Sequence, residues 1–279
     1  MIDLERLIQD AHHVPPLPTT VTKVISLMQG DDWSVDAAVE VIRVDAGLTA
    51  RMLRLANSVA YGRSGRSGNL REAVLRIGRS AVLSTSIAAG ARSALPAKSL
   101  PAGYGEREFW RHSVASTLAV EKLERTLGIS VAPEAATAAL LHEVGQFLLG
   151  HLLSPDILSV LGRACEEGHL VPWRAESEVL KVNHAEVGAL IAQHWNLPDL
   201  VVSGILHHHE PSQGEGNVAA LVHVADEVAR VAEGEISVEV AYSNLDPSAR
   251  EQLKLTVAQF EKVCAAVVPD LENVISAYD

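Results

Sequence analysis

The chain has 279 residues, which is enough to bury a sizeable core in one large domain or two modest ones. Its 48% hydrophobic content, with only 4% aromatic residues, favours closely packed helices over a β-sandwich. A net charge of −12 argues against broad electrostatic binding to nucleic acid or anionic lipid, since both require an excess of Lys and Arg.

Helical spacing of apolar residues recurs along the sequence, with Gly, Pro and capping residues at the breaks. We predict an all-α fold, and we expect Asn57 to fix a turn rather than to bind a ligand. The predicted helices span residues 2–12, 20–29, 35–44, 48–56, 70–77, 79–94, 107–127, 133–153, 155–167, 173–180, 185–195, 198–208 and 218–232, with two or three more in 238–279.

The segment 95–105 contains two Pro and two Gly and is the predicted internal boundary. It divides the chain into an N-terminal helical subdomain, 1–105, and a His-rich helical subdomain, 106–235. Residues 236–279 are predicted to form a C-terminal helical extension.

Positive charge is concentrated between residues 42 and 92. Nine Arg and two acidic residues give this stretch a net charge of +7, which leaves −19 elsewhere. Its arginines either pair with the acidic remainder or form a docking face for an acidic partner or a phosphate-bearing ligand. We select Arg63, Arg66 and Arg71 as the candidate partner contacts.

Nine of the twelve histidines fall between residues 142 and 223, and several lie beside a carboxylate. Side chains three or four apart share a helix face, so Glu108 and His112 project together. Imidazole and carboxylate are suitable ligands for a divalent metal, and helices of a bundle can assemble them into one site. The alternative is a network of hydrogen bonds between helices without an ion.

Cys165 and Cys264 are far apart and form no CxxC pair, which argues against a disulfide framework and a zinc ribbon. No apolar run approaches the ~20 residues of a membrane span, and the first residues lack a basic stretch followed by an apolar one. We therefore expect a soluble protein of the reducing cytoplasm.

Motifs that run from Leu17 to Asp226 resemble the HDOD family in their residues and in their order. They are Leu17-Pro-Thr, the stretch 42–62, Ala73-Val-Leu-Arg-Ile-Gly, Phe109-Trp-Arg-His-Ser, Leu140-Leu-His-Glu-Val-Gly, Asn183-His-Ala-Glu-Val-Gly-Ala, Trp195-Asn-Leu-Pro and His208-His-Glu-Pro. The resemblance implies a multi-helix bundle related to the HD metal-dependent phosphohydrolases. It also implies a bacterial signalling or regulatory module.

The wider HD superfamily, and the HD-GYP phosphodiesterases in particular, are similar at the positions that would bind metal. The resemblance implies a divalent ion, Fe, Mn or Zn, as the cofactor. His207 and His223 match no ligand position. The implied ligands are Glu108, His112, His142, Glu143, His184, His208, His209 and Asp226.

Two departures bear on catalysis. The doublet His142-Glu143 replaces His-Asp, and a carboxylate one methylene longer overshoots its target unless the helix shifts; a displacement of about 1 Å can cost about 100-fold in rate. Gln146 stands where HD-GYP proteins have a Lys, which removes a charge that would stabilise phosphate oxygens. The Gly-Tyr-Pro segment of those proteins is also missing after Glu210.

Two functions follow from these observations. The first is a regulatory module without catalysis, which acts by contact with a signalling protein or by sensing a small ligand. The second is a metal-dependent phosphohydrolase with a modified site, in which His142, Glu143, His208, His209 and Asp226 hold one or two ions.

Overall fold

The computed structural model describes residues 13–29, 33–62, 66–95 and 106–278, and it is helical throughout, with no strand among these residues. The all-α prediction is confirmed. The helices are α1 Thr19–Gln29, α2 Val35–Ile42, α3 Ala46–Ala56, α4 Leu70–Ala94, α5 Glu106–Leu127, α6 Glu134–Leu141, α7 Gly145–Leu152, α8 Pro155–Glu166, α9 Pro172–Leu180, α10 His184–His194, α11 Asp199–Leu206, α12 Val218–Ala232, α13 Val238–Asn244, α14 Pro247–Leu253 and α15 Val257–Tyr278. The predicted helix over 2–12 lies outside the described residues.

Side-chain caps begin several of the helices. Ser34 and Asn69 each accept a hydrogen bond from the backbone N–H three residues later, at 3.1 and 2.8 Å. Asn183 and Glu186 form a reciprocal capping box at the start of α10, which satisfies two backbone donors at once. Helices α2 and α4 begin at residues 35 and 70 as predicted, and α10 begins one residue before the predicted start at 185.

Helix α4 contains a sharp change of direction at Gly78. This residue has φ 83° and ψ 172°, a backbone conformation that side-chain-bearing residues rarely adopt. The predicted break between residues 77 and 79 is therefore present as a kink at Gly78. The apolar second half of α4 then runs through the core, where Leu83 and Ile87 are fully buried.

Asn57 closes the loop that follows α3. Its side-chain oxygen accepts from the Ser67 N–H at 2.7 Å, and its side-chain nitrogen donates to the Ser67 carbonyl at 3.0 Å. The side-chain amide of Asn57 thus satisfies both the backbone N–H and the backbone carbonyl of Ser67. The predicted role of Asn57 in fixing a turn is confirmed.

Helix α5 lies at the centre of the second part of the chain, where it packs against α6, α12 and α15. Helix α4 packs against α6, and α3 packs against α15, so the N-terminal helices are joined to the rest. The apolar core is one contiguous cluster that runs from Val14 to Ile275. No helix in the described part of the chain is long and apolar enough to span a membrane.

A half-buried acid, Glu121, joins α5 to the loop after α3. Glu121 accepts a hydrogen bond from the Tyr61 hydroxyl, and burial raises the pKa of Glu121 despite that bond and the nearby Arg125 and Lys122. The folded chain thus holds this proton to higher pH than the unfolded chain. The stability that protonation of Glu121 contributes is complete below its unfolded pKa and is lost as the pH rises through the folded value.

We expect Glu121→Gln, which is uncharged at every pH, to raise the melting temperature by a few degrees at pH 7 and by less at pH 4.5. The measurement is calorimetry at both pH values. Glu178→Gln, which replaces an exposed acid on α9, is the control. A lower melting temperature of Glu121→Gln at pH 7 would show that the charged bond to Tyr61 outweighs the cost of burial.

Candidate metal centre

The helix predicted over 133–153 is interrupted at its middle. Helix α6 ends at Leu141, residues 142–144 form a turn, and α7 begins at Gly145. The prediction of one continuous helix is wrong, because apolar residues on both sides of the turn keep helical spacing. The interruption directs both His142 and Glu143 towards the interior, although side chains of adjacent helical residues diverge by about 100°.

Gly145 permits a close approach between α7 and α10. A Cβ atom on Gly145 would lie 2.0 Å from the His184 carbonyl oxygen and 2.7 Å from the Gly188 nitrogen. Only a residue without a side chain allows this contact between two backbones. The approach brings Glu143, two residues earlier, to His184 at the start of α10.

A second turn supplies two adjacent histidines. Helix α11 ends at Leu206, two residues before the predicted end, so His208 and His209 lie in a turn. The ring centroids of His208 and His209 are 3.8 Å apart. His208 is fully buried, and both rings face the same interior cluster.

Four of the clustered histidines are oriented by a hydrogen bond at Nδ1. The partners are carbonyl oxygens for two rings and carboxylates for the other two. The Nδ1 contacts are His142 to the Ala139 carbonyl at 2.7 Å, His208 to the Ile205 carbonyl at 2.7 Å, His112 to Glu233 at 2.8 Å and His184 to Glu176 at 2.7 Å. An acceptor at Nδ1 places a proton there, so in the neutral ring the lone pair is at Nε2. This arrangement is typical of metal-ligating histidines.

The Nε2 atoms converge on the centre of the cluster. The Nε2 atoms of His112 and His142 are 3.3 Å apart, and those of His184 and His209 are 2.9 Å apart. Two nitrogens that bind one ion at about 2.1 Å lie roughly 3.0–3.4 Å from each other. The Nε2 of His208 is buried and has no hydrogen-bond partner in the described residues. The donor set therefore fits a divalent ion.

Three overlapping groups of side chains offer ligand atoms within 4.8 Å of one another. They are His112 with His142 and Asp226; His184 with His208 and His209; and His142 with Glu143 and His208. A Glu143 oxygen lies 3.4 Å from the His184 Nε2 and 3.9 Å from the His142 Nε2. Glu143 thus lies between the first two groups.

The ionisable groups of the cluster shift one another's pKa values. Burial opposes the charge on Glu143, but His184, His142 and His208 outweigh burial and lower its pKa. Burial likewise opposes the charge on His184, but Glu143 and Glu176 raise the pKa of His184 to about 9. Burial, with His142 and His184, lowers the pKa of His208 to about 3, so this ring is neutral near pH 7.

Seven of the eight implied ligands lie in the three groups. Glu108 does not, because its side chain is exposed near the start of α5. His207 also lies outside the groups. His223 uses both ring nitrogens in structural bonds, to the His208 carbonyl at 2.9 Å and to the Asp246 N–H at 2.9 Å.

The arginine-rich stretch is partly neutralised by local ion pairs. Arg71 is exposed and contacts Asp36 at 2.7 Å. Arg66 is exposed, and Arg63 lies outside the described residues. Further ion pairs of this stretch join Arg43 to Glu40, Arg76 to Glu72 and Arg92 to Glu106.

Three residues of the site have no signal in the sequence. Glu176 and Glu233 anchor two histidines, although Glu233 is 121 residues from its partner His112. Trp173 stacks on His209, with the ring centroids 5.2 Å apart and the planes inclined by 10°. Phe109 and Trp110, from the motif Phe109-Trp-Arg-His-Ser, are buried in the core.

Comparison with known proteins gives a family match and one curated relative. The HDOD domain model matches residues 14–211. An uncharacterized protein of Treponema pallidum (strain Nichols) is 25% identical over 197 residues, which are 70% of this chain. The match spans 37% of that relative's length.

Solved structures share the fold. A Shewanella amazonensis SB2B protein named "Putative phosphohydrolase" has a TM-score of 0.76 at 24% identity, over 98% of each chain. An HDOD domain protein of unknown function from Geobacter sulfurreducens has a TM-score of 0.72 at 20% identity, over 99% of this chain and 98% of its own. A Marinobacter aquaeolei VT8 protein named "Putative signal transduction protein" has a TM-score of 0.68 at 21% identity, over 96% of this chain and 65% of its own.

We expect Gly145→Ala to destabilise the protein by at least about 1–3 kcal/mol, because the added Cβ would meet backbone atoms that cannot turn aside. The measurement is urea unfolding. Gly162→Ala in α8 is the matched control, since its Cβ would meet nothing within 4 Å. The control should gain about 0.5–1 kcal/mol. Equal stabilities of Gly145→Ala and the wild type would contradict the close approach of α7 and α10.

Proposed function

Because the chain belongs to the HDOD domain family, we propose that it is a signalling module whose histidine-rich pocket binds a divalent metal ion. The main support for metal binding is that the Nε2 of His208 is buried without a hydrogen-bond partner in the described residues. A buried lone pair without a donor costs free energy, and a cation at the centre of the cluster removes that cost.

The composition of the pocket supports the same proposal. Five imidazoles face the centre or its edge, and four carboxyl groups lie among them or behind them. The acids are Glu143, Asp226, Glu176 and Glu233. Imidazole and carboxylate together suit Fe, Mn or Zn, whereas Ca and Mg prefer oxygen alone.

The proposed output is regulation through contact with a signalling protein or a small ligand, without catalysis. The longer carboxylate of Glu143 and the uncharged side chain of Gln146 both argue against efficient phosphate chemistry. The solved protein from Marinobacter aquaeolei is named for signal transduction, and its fold is similar. That similarity agrees with the proposed class of function.

We expect protein purified without an affinity-tag metal to bind Mn²⁺ or Zn²⁺ in stoichiometric amounts. His208→Ala should weaken binding by at least about tenfold, because it removes a ligand that two of the groups share. The measurement is elemental analysis combined with titration calorimetry. His207→Ala, the neighbouring residue outside the groups, is the control. Equal affinity for Mn²⁺ in wild type and His208→Ala, or no binding by the wild type, would overturn the proposed site.

Phosphohydrolysis is a second candidate, favoured by the position of Glu143 between two groups of ligands. A divalent ion bound there would polarise a phosphoryl oxygen and neutralise its charge. Shewanella amazonensis proteins of similar fold are named "Putative phosphohydrolase" and "Putative metal-dependent phosphohydrolase". Glu143 and Asp226 are the acids of the ligand groups that would hold the ion.

Turnover separates the two candidates. With Mn²⁺ present, we expect wild-type protein to hydrolyse bis(p-nitrophenyl) phosphate and cyclic dinucleotides no faster than His208→Ala. The measurement is product release over hours at micromolar protein. Hydrolysis by wild type and His207→Ala, but not by His208→Ala, would instead establish the phosphohydrolase and replace the regulatory proposal.

A further inference from the structure

The two halves of the candidate centre have different support. His112 and Asp226 lie on α5 and α12, which pack against each other and against several further helices of the core. Leu118 and Leu123 of α5 and Val222 and Val228 of α12 are buried. Ligands on such helices cannot move without disturbing the core.

The other half depends on two side chains of α9. Glu176 accepts hydrogen bonds from both the backbone N–H of His184, at 2.8 Å, and its Nδ1, at 2.7 Å. Trp173 covers one face of the His209 ring. The hydrogen bonds of His209 within the described residues are limited to the Nε2 contact with His184, so packing on Trp173 fixes its ring.

Helix α9 belongs to a peripheral pair. Helices α8 and α9 pack mainly against each other, and α9 makes a smaller contact with α10. Helix α8 has no buried residue along its 12 residues, and α9 buries Ala175, Glu176 and Leu180. Few buried contacts are the mark of a segment that opens locally at low free-energy cost. The helices that position His184 and His209 are therefore less firmly held than those that carry His112 and Asp226.

We propose that Glu176 and Trp173 are positioning residues through which a metal ion at His184, His208 and His209 orders the α8–α9 pair. An ion that binds only when the α8–α9 pair is ordered stabilises that ordered state. In return, stabilising the ordered pair raises the affinity for the ion by the same factor. Binding of an ion in the buried site would thus order two helices at the protein surface, α8 and α9. This inference rests on the proposed metal binding.

The test is hydrogen–deuterium exchange of the full chain with and without saturating Mn²⁺, with the metal content measured on the same sample. Exchange over residues 155–180 should slow by at least about tenfold on binding, while the α5 and α12 segments change little. Stoichiometric Mn²⁺ with unchanged exchange over 155–180 would overturn this inference and leave the metal site intact. A sample that binds no Mn²⁺ would overturn the proposed function, and this inference with it.

Variants separate positioning from general packing. Glu176→Gln and Trp173→Ala should each weaken Mn²⁺ binding by about 10- to 100-fold and abolish the ion-dependent protection, with helical circular dichroism retained. Trp173→Phe, which keeps a ring for stacking, should bind Mn²⁺ nearly as tightly as wild type. Glu178→Gln, exposed on the same helix, is the control. Unchanged affinity in both Glu176→Gln and Trp173→Ala would contradict the role assigned to them.

Discussion

The histidine pocket depends on hydrogen bonds made at the outward nitrogens of its rings. Carbonyl oxygens of Ala139 and Ile205 hold two rings, and carboxylates of Glu176 and Glu233 hold two more. Each bond fixes a ring direction and directs the opposite nitrogen inward. The result is a set of buried lone pairs that face one another, which costs stability unless a proton or an ion lies between them. Such local cost is usual at functional sites.

The backbone serves the same arrangement. Interrupting a helix at His142, ending another at Leu206 and omitting a side chain at Gly145 each reduce regular packing. Each also places a ligand where a continuous helix could not. Two turns thus supply four of the seven ligands, His142 with Glu143 and His208 with His209. The other three, His112, His184 and Asp226, come from helices.

Much of the fold is predictable from the sequence, because caps such as Asn69 and Asn183 and apolar spacing are local signals. The resemblance to a known family also selects seven of the residues that the fold brings together. The turn at His142 could not be predicted, since the apolar pattern of α6 continues into α7 without a Gly or Pro before Gly145. The anchoring acids Glu176 and Glu233 could not be predicted either, because only tertiary packing brings them to their histidines.

The family match ends at residue 211, but the histidine pocket includes side chains that lie beyond this residue. All five clustered histidines lie within the matched stretch, whereas Asp226, Glu233 and the supporting His223 come from α12 and the residue after it. A shortened chain that keeps the whole matched domain would lose two of the four acids and the support of the His208 turn. Two proteins can therefore share every histidine motif of the domain and still differ in ion binding, according to the helix that follows it.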